Sequence, residues 1–270
     1  MSVPPSVPPS LQRPRAIDRV AGSVAGFGRE AGVLLTVLGR AGRSTFRMRP
    51  GDFVEQLGRV ALSALPLIGI AALFAGMVIA LNSSFHLTRY GQGHMVADIV
   101  SVSLVTELAP VFTALLMSGK AGAGLASELG MVTLSGQAQA MRALSLDIDR
   151  ELIAPRVWGC IIGTVMLTVA AMLLGLIGGM ILGSAKLGIS PVHYLNRAIE
   201  ALPPVDFAQG LLKAFGFGVI IAAFGTAFGL RDKADAAALG QHTMSAVVGA
   251  SFTVLIADHV FTTFIVAVLG

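Results

Sequence analysis

Ionisable side chains within long apolar stretches are the residues of this sequence best suited to chemistry. Glu107 lies in the apolar stretch 98–118, and Asp258 and His259 lie in another, 245–269. A carboxylate inside a membrane span is costly and is usually satisfied by a partner group or by a wet cavity. Glu107 therefore indicates a substrate cavity, a subunit interface or a structural hydrogen bond to a neighbouring helix. For Asp258 and His259 we favour a structural role.

The glycine-rich segment Gly119-Lys-Ala-Gly-Ala-Gly124 also suggests chemistry, because such segments can bind phosphate. A Walker loop, however, requires the order G-x-x-x-x-G-K-[ST] between a strand and a helix. Here the lysine follows the first glycine, and the sequence upstream predicts an apolar helix. We therefore disfavour nucleotide binding and interpret the segment as a tight turn at the exit from the membrane.

The sequence offers no arrangement typical of catalysis or metal binding. It contains no His-x-x-x-His, paired-cysteine or G-x-S-x-G pattern, and its single cysteine, Cys160, lies in an apolar stretch. One cysteine cannot form an internal disulfide. We predict no catalytic residue, no metal site, no cofactor in this chain and no enzymatic activity. Nucleic-acid binding is disfavoured because the arginines flank apolar stretches instead of forming a basic face with aromatic residues.

The composition predicts the elements that position these residues. Hydrophobic residues make up 54% of the 270 residues and charged residues only 13%, against about 25% charged in soluble domains. We predict an all-α polytopic membrane protein, since each membrane span needs about 20 apolar residues. Five apolar stretches qualify, at about 62–81, 98–118, 157–183, 207–230 and 245–269.

The chain before the first span divides into two predicted parts. Residues 1–12 are rich in proline and serine and predict a disordered tail. Residues 13–61 contain nine arginines among apolar residues and glycines. This pattern predicts amphipathic helices on the membrane surface, or alternatively a solvated basic tail. One domain that contains all five spans is then predicted over 62–270.

The distribution of positive charge predicts the orientation of the spans. Lysines and arginines outside the spans number eighteen, of which fifteen lie before the first span, in 119–156 or in 229–244. Because cytoplasmic loops carry the excess of these residues, the amino terminus and the segment 119–156 are predicted to be cytoplasmic. Five spans then place the carboxyl terminus on the periplasmic side.

Small and polar residues give two further structural predictions. Gly175, Gly179 and Gly183 repeat every four residues, as do Gly225 and Gly229, which predicts close helix packing. The segment 119–156 is a hydrophilic island that we expect to lie in water or against a soluble partner. Within it, apolar residues at 134, 138, 141 and 144–146 predict a short amphipathic helix. Such a helix suits docking onto a motor protein, or alternatively resting on the lipid headgroups.

These motifs resemble the MlaE/YrbE family of permeases from MCE-associated ABC transporters, over about residues 50–268. The resemblance is carried in order by Glu107-Leu-Ala-Pro-Val111, Ser118-Gly-Lys-Ala-Gly-Ala123, Ser127-Glu-Leu-Gly130 and Pro155-Arg156. The chain departs from the family pattern at Asn82, where glutamine is usual, at Gly136, where glutamate is usual, at Ile148, where proline is usual, and in the segment 236–240.

The resemblance implies partners and a site. It implies a homodimer in the bacterial inner membrane, with separate ATPase subunits that use ATP and an MCE-domain protein on the periplasmic side. A phospholipid or related lipid would bind between the two permeases, at Ile79, Leu87, Tyr90, Glu107 and Leu108. The island would couple to the ATPase through Leu134, Gln137, Met141, Arg142, Leu144 and Asp147.

Two other functions compete with lipid transport by an ABC permease. One is a membrane-embedded lipid enzyme, which the absence of a nucleophile or metal pattern disfavours. The other is a proton-coupled secondary transporter in which Glu107 and Asp258 relay protons. Many such transporters contain inverted repeats, and no repeat is evident here.

Overall fold

The computed structural model describes residues 50–231 and 235–269, together with Thr36, Gly39 and Gly42. All regular secondary structure in these residues is helical. We number the helices α1 (Pro50–Arg89), α2 (Val96–Leu134), α3 (Gln137–Ala143), α4 (Asp149–Leu187), α5 (Pro191–Glu200), α6 (Pro204–Gly229) and α7 (Ala236–Leu269). The predicted tail and most of the predicted surface helices lie outside the described residues.

Five of these helices, α1, α2, α4, α6 and α7, are long and apolar enough to cross a membrane, which confirms the all-α polytopic prediction. Each extends beyond the predicted span at one or both ends. Helix α1 begins at Pro50, so the predicted boundary at residue 61 falls inside one continuous helix. Its 40 residues span about 60 Å, twice the hydrocarbon thickness of about 30 Å.

Helix α6 forms the centre of the bundle, and α7 lies at its edge. The most apolar stretch of α6 is 67% buried, whereas that of α7 is 17% buried. Helix α6 packs against α2, α4 and α7, and α1 packs along α4. The spans alternate in direction, so one end of the bundle gathers the start of α1, the end of α2 and the start of α4. We call it the basic end, because Arg59, Lys120, Arg150 and Arg156 lie there.

Glycines permit the closest helix contacts, as predicted. A Cβ atom at Gly76 would overlap the carbonyl oxygen of Gly175, and one at Gly178 would overlap that of Leu73, so α1 and α4 touch through their backbones. The glycine face predicted on α4 also contacts a helix other than α1. At Gly179 and Gly183 it packs against the side chain of Tyr194 in α5.

The glycines of α6 receive α2 in the same way. A Cβ atom at Gly225 would lie 3.0 Å from the Gly122 carbonyl oxygen, and one at Gly229 would lie 2.9 Å from Leu129 Cβ. The two helices therefore approach closely at the basic end. This contact involves residues that we had expected to lie in water.

The first part of the predicted hydrophilic island is instead part of the packed bundle. Residues 119–134 continue α2, and Ala121, Gly122, Leu125, Ala126 and Leu129 are buried. The predicted turn at 119–124 is therefore wrong: residues 118–122 form a π-helical turn within the helix. Their small size, which we interpreted as hydrophilic character, allows α6 to approach.

The amphipathic helix predicted over 134–146 is shorter in the structure. Helix α3 covers only Gln137–Ala143, and Leu134 is the last residue of α2. Gly136, with φ +74°, and Ser145, with φ +56°, adopt left-handed backbone conformations on either side. Glycine favours that conformation, which gives a physical reason for glycine where the family pattern has glutamate.

Candidate functional site

An ionic cluster inside the bundle joins three spans. The ammonium nitrogen Nζ of Lys213 in α6 lies 2.6 Å from Glu107 Oε2 in α2 and 3.1 Å from Asp258 Oδ1 in α7. Nζ also donates a hydrogen bond to Thr262 Oγ1 at 2.7 Å. The Thr262 hydroxyl in turn lies 3.0 Å from Glu107 Oε1 and 2.9 Å from the carbonyl oxygen of Asp258. We refer to Glu107, Lys213 and Asp258 as the charged triad.

The triad lies near the middle of the spans. Glu107 is 11 residues from the start of α2, Lys213 is 9 from the start of α6, and Asp258 is 11 from the end of α7. At a rise of 1.5 Å per residue, these positions are about 14–17 Å from the end of the bundle opposite the basic end. Three charged side chains therefore share one depth, about half the hydrocarbon thickness.

A π-helical turn positions Glu107. Residues Leu104–Leu108 form such a turn within α2, and turns of this kind occur frequently at functional sites. The extra residue changes the direction of the side chains that follow it relative to a regular helix. Leu104 and Val105 on the same turn are buried, and a Cβ atom at Gly210 of α6 would overlap the Val105 carbonyl oxygen. The turn is therefore pressed against α6 beside Lys213.

Burial differs among the three members of the triad. The side chain of Lys213 is 2% exposed, that of Asp258 21% and that of Glu107 38%. A buried ammonium needs compensation, which the two carboxylates and the Thr262 hydroxyl provide. Glu107 is at once a partner of the buried lysine and the member most open to the surroundings. The hydrogen bond that we considered for Glu107 is thus present, and Asp258 contacts Lys213 of the neighbouring helix; the structural role favoured for Asp258 stays a prediction.

Sequence reasoning missed Lys213. It is the single charged residue between Asp206 and Arg231. Because it lies inside a predicted span, it is not one of the eighteen lysines and arginines outside the spans. An isolated lysine in a span, together with carboxylates in two other spans, was the available signal, since intramembrane charges usually pair. His259, beside Asp258 in sequence, is exposed on α7.

The predicted lipid-contacting residues fall into three places. Ile79 and Leu87 pack around a small buried cluster of Ala80, Val96 and Val100, where α1 meets the start of α2. Leu108 packs beside Glu107 against the main core. Tyr90 follows the end of α1 and is 81% exposed. Tyr90 therefore stands apart from the core contacts of the other apolar residues, and the assignment of all five residues to lipid binding stays a prediction.

An open apolar groove lies close to the predicted lipid residues of α1. It has a volume of about 710 Å³ and lies between the end of α1 and the end of α4. Its lining includes Leu81, Asn82, Phe85 and Leu187, and the guanidinium of Arg89 stacks on the Phe85 ring at 4.3 Å. Asn82, one of the departures from the family pattern, is therefore a groove residue.

The predicted coupling residues lie at the basic end. Gln137, Leu144 and Asp147 are exposed, whereas Leu134 and Met141 are half-buried. Arg142 lies in α3. Asp147 has a local structural contact as well, because its Oδ1 accepts hydrogen bonds from the backbone N–H groups of Asp149 and Arg150 at 3.1 and 3.4 Å. It therefore caps the start of α4.

A cavity separates α3 from the bundle. Its volume is about 370 Å³, and it is bounded by the end of α2, α3, the start of α4 and Leu230. Asp147 and Ile148 are among the lining residues. The Ile148 departure thus places an apolar side chain in the wall of the cavity beside the predicted coupling segment.

Comparison with known proteins adds independent evidence. The family model described as "Permease MlaE" matches residues 53–264, which include all three members of the charged triad and most or all of each of the five spans. The match covers more than half of the chain. It begins and ends close to the limits that the sequence motifs indicated.

Three relatives illustrate the similarity. A probable ABC transporter permease protein of Rickettsia prowazekii is 32% identical over 209 residues, which are 77% of this chain and 81% of the relative. The intermembrane phospholipid transport system permease protein MlaE of Haemophilus influenzae is 27% identical over 249 residues, 88% of this chain and 95% of the relative. The chloroplastic protein TRIGALACTOSYLDIACYLGLYCEROL 1 of Arabidopsis thaliana is 29% identical over 229 residues, 83% of this chain and 65% of the relative.

Proposed function

Because this chain belongs to the MlaE permease family, we propose that it is the permease subunit of an ABC transporter that moves phospholipid or a related lipid between membranes. The observation that carries the proposal is the family match over residues 53–264, which takes in the five-helix bundle. The names of the Rickettsia and Haemophilus relatives agree with a permease role. In this proposal the chain performs no catalysis, and a separate ATPase subunit uses ATP.

The proposed assembly contains two copies of this chain, ATPase subunits and an MCE-domain protein in the bacterial inner membrane. The amino terminus faces the cytoplasm and the carboxyl terminus the periplasm. The gathering of Arg59, Lys120, Arg150 and Arg156 at one end of the bundle supports this orientation, because cytoplasmic loops are enriched in such residues. The basic end would then be the cytoplasmic end.

The proposed lipid site lies between the two copies, at Ile79, Leu87, Tyr90, Glu107 and Leu108. The partial exposure of Glu107 supports a contact with the polar part of the lipid, while Lys213 holds that carboxylate at a constant depth. The high exposure of Tyr90 suits a side chain that completes its environment with a second copy or with lipid. The apolar residues would contact acyl chains.

Coupling to the ATPase is proposed to pass from α3 to α4 and then to α1. Asp147 links the segment after α3 to the first turn of α4 through its hydrogen bonds. Helix α4 touches α1 through glycines along much of its length. A displacement of α4 at the basic end therefore moves α1, which carries Ile79 and Leu87.

Co-expression with a candidate ATPase and the MCE-domain protein tests the proposal. A tag on this chain should bring down the ATPase, and the purified complex should contain phospholipid detectable by mass spectrometry. Tyr90→Asp should reduce the bound phospholipid per complex, because it replaces the phenol ring by an anionic carboxylate that repels the lipid phosphate. It should leave thermal stability unchanged, since the side chain is exposed. Val192→Asp, on an exposed position of α5 (69%), is the matched control. Retention of normal lipid by the Tyr90 variant would contradict the site assignment.

One observation favours a second candidate function, proton-coupled secondary transport. Two carboxylates, Glu107 and Asp258, lie close together near the middle of the spans, and intramembrane chains of acidic residues relay protons in some transporters. The two candidates differ in their energy source. Transport by a proton relay would persist without the ATPase and stop when a pH gradient is collapsed, whereas the ABC permease requires ATP hydrolysis by its partner.

A further inference from the structure

A second groove, at the basic end, combines cationic side chains from three spans. It lies between the start of α1 and the last third of α2, with a volume of about 150 Å³. Arg59 from α1, Lys120 from α2 and Arg156 from α4 line it, with Glu128 as the single acidic residue of the lining. The polar side chains of Gln56 and Ser63 complete the wall. Neither the proposed lipid site nor the proposed coupling segment uses these side chains.

The ion pairs in the groove leave positive charge uncompensated. Arg156 Nε contacts Glu128 Oε2 at 3.0 Å, so this arginine and the acidic residue of the groove neutralise each other. Arg59 pairs with Glu55 at 2.8 Å, but both side chains are more than half exposed, and such pairs bind weakly. Among the described residues, Lys120 has no ion-pair partner. The groove therefore has a net positive charge and attracts an anion.

The depth of the groove corresponds to the lipid headgroups. Lys120 follows Glu107 by 13 residues on the same helix, which is about 20 Å along its axis. The hydrocarbon core extends about 15 Å from its midplane. Because the triad lies near the middle of the spans, Lys120 lies beyond the edge of the hydrocarbon. Arg59 lies three residues before the span predicted at 62–81 in α1, at the corresponding depth.

An apolar track on α1 continues from the groove toward the membrane centre. The groove residues Gln56, Arg59 or Val60, and Ser63 repeat at helical spacing, and the same face continues through Leu67, Ile70 and Phe74. These three side chains are 49%, 61% and 58% exposed. A molecule with its phosphate in the groove would lay an acyl chain along this track. A free anion or an acidic protein segment would leave the track unused.

From the charge, the depth and the track we infer that this groove binds an anionic phospholipid of the leaflet at the basic end. The ligand class is a lipid with a net negative headgroup, such as phosphatidylglycerol. On the orientation proposed above, this is the cytoplasmic leaflet. The site is distinct from the proposed transport cavity, which lies nearer the opposite end of α1. Bound lipid would join α1 to the part of α2 that leads to the predicted coupling segment.

The test uses the full chain in nanodiscs of phosphatidylcholine with or without phosphatidylglycerol. Two readouts are the thermal stabilisation by phosphatidylglycerol and the number of phosphatidylglycerol molecules retained in native mass spectrometry. The test variant combines Arg59→Gln and Lys120→Gln, and it leaves the Arg156–Glu128 ion pair intact. Arg89→Gln, at the opposite end of the same helix, is the control for a loss of charge.

Phosphatidylglycerol should stabilise the wild-type chain and the Arg89 variant more than phosphatidylcholine does. Because each basic residue near an anionic surface contributes about fivefold in affinity, the double variant should bind phosphatidylglycerol roughly 25-fold more weakly. The Lys120→Arg variant keeps the positive charge and should therefore bind phosphatidylglycerol as the wild-type chain does. Inorganic phosphate at millimolar concentration should not displace the lipid, since it cannot use the apolar track.

Four results would overturn the inference. Equal retention of phosphatidylglycerol by the wild-type chain and the double variant would show that Arg59 and Lys120 do not bind this lipid. Equal loss in the Arg89 variant would show a general effect of charge, and displacement by inorganic phosphate would identify a free-anion site. Loss of ATPase co-purification in the double variant with unchanged lipid retention would instead identify an acidic protein partner. The lipid readouts do not require transport, so they are independent of the proposed function.

Discussion

Replacing Lys213 with methionine is the sharpest test of the charged triad. Methionine has nearly the length of lysine and suits an apolar interior, so Lys213→Met removes the charge with little change in volume. It leaves Glu107 and Asp258 near each other without a cation. The Thr262 hydroxyl no longer accepts a hydrogen bond from Lys213 Nζ. It can still donate one to the Asp258 carbonyl oxygen or to the Glu107 carboxylate.

The geometry sets the expected magnitude. At an effective dielectric constant of about 20, charges separated by 2.6 and 3.1 Å attract by about 5–6 kcal/mol each. Burial of the ammonium offsets several kcal/mol of this attraction, and removing one partner of a buried ion pair costs about 3–5 kcal/mol overall. The partial exposure of Glu107 lets its uncompensated charge reach more polar surroundings. We therefore expect a loss of about 2–4 kcal/mol in the free energy of unfolding.

The single tryptophan, Trp158 in α4, provides the assay. Its fluorescence reports unfolding of the purified chain in mixed micelles as the fraction of denaturing detergent increases. The control is Lys186→Met, because Lys186 is exposed at the end of α4 and its loss should cost less than about 0.5 kcal/mol. Both variants remove one lysine, so a general effect of net charge cancels in the comparison.

A combined variant separates charge compensation from packing. Adding Glu107→Gln and Asp258→Asn to Lys213→Met removes all three charges and should recover at least half of the lost stability. Two outcomes would refute the reasoning: a Lys213 variant as stable as the Lys186 control, or a combined variant less stable than Lys213→Met alone. The second would mean that each carboxylate has stabilising partners besides the lysine.

Three further predictions concern packing, orientation and coupling. Gly178→Ala should lower the free energy of unfolding by about 2 kcal/mol or more, because its Cβ would overlap α1 backbone; Gly58→Ala, in open space, should raise it by up to about 1 kcal/mol. A cysteine at Ala140 should react with a membrane-impermeant thiol reagent only from the cytoplasm, and reaction from the periplasm would reverse the orientation. Buried Cys160 should stay unlabelled. Leu144→Asp should abolish ATPase co-purification without unfolding the chain, since the side chain is 72% exposed; an intact complex would place docking elsewhere.

The sequence alone determined the class of the protein and the existence of its five spans. Uninterrupted apolar stretches of about 20 residues have few alternatives to membrane helices, because every backbone polar group must be satisfied within the span. The four-residue spacing of glycines is also a local feature of the sequence, because it puts them on one face of a helix, and it predicted close helix packing correctly. The ordered motifs from Glu107 to Arg156 led to the family that the comparison then confirmed.

Helix limits and the fate of the small residues depended on the tertiary structure. Alanine and glycine have little hydrophobic character of their own, so the segment 119–134 looked hydrophilic. In the bundle, its small residues face Gly225 and Gly229 of α6, and contact instead of polarity decides their burial. The left-handed conformations of Gly136 and Ser145 likewise limited α3 to seven residues.

The charged triad shows the same division most clearly. The sequence identified Glu107 and Asp258 as intramembrane carboxylates, each with an unknown partner. Lys213, which compensates both, lies 106 residues after the first and 45 before the second, with no local pattern connecting them. Only the packing of α2, α6 and α7 at a common depth brings the three together, because ion pairing acts over a few ångströms in space and is independent of separation along the chain.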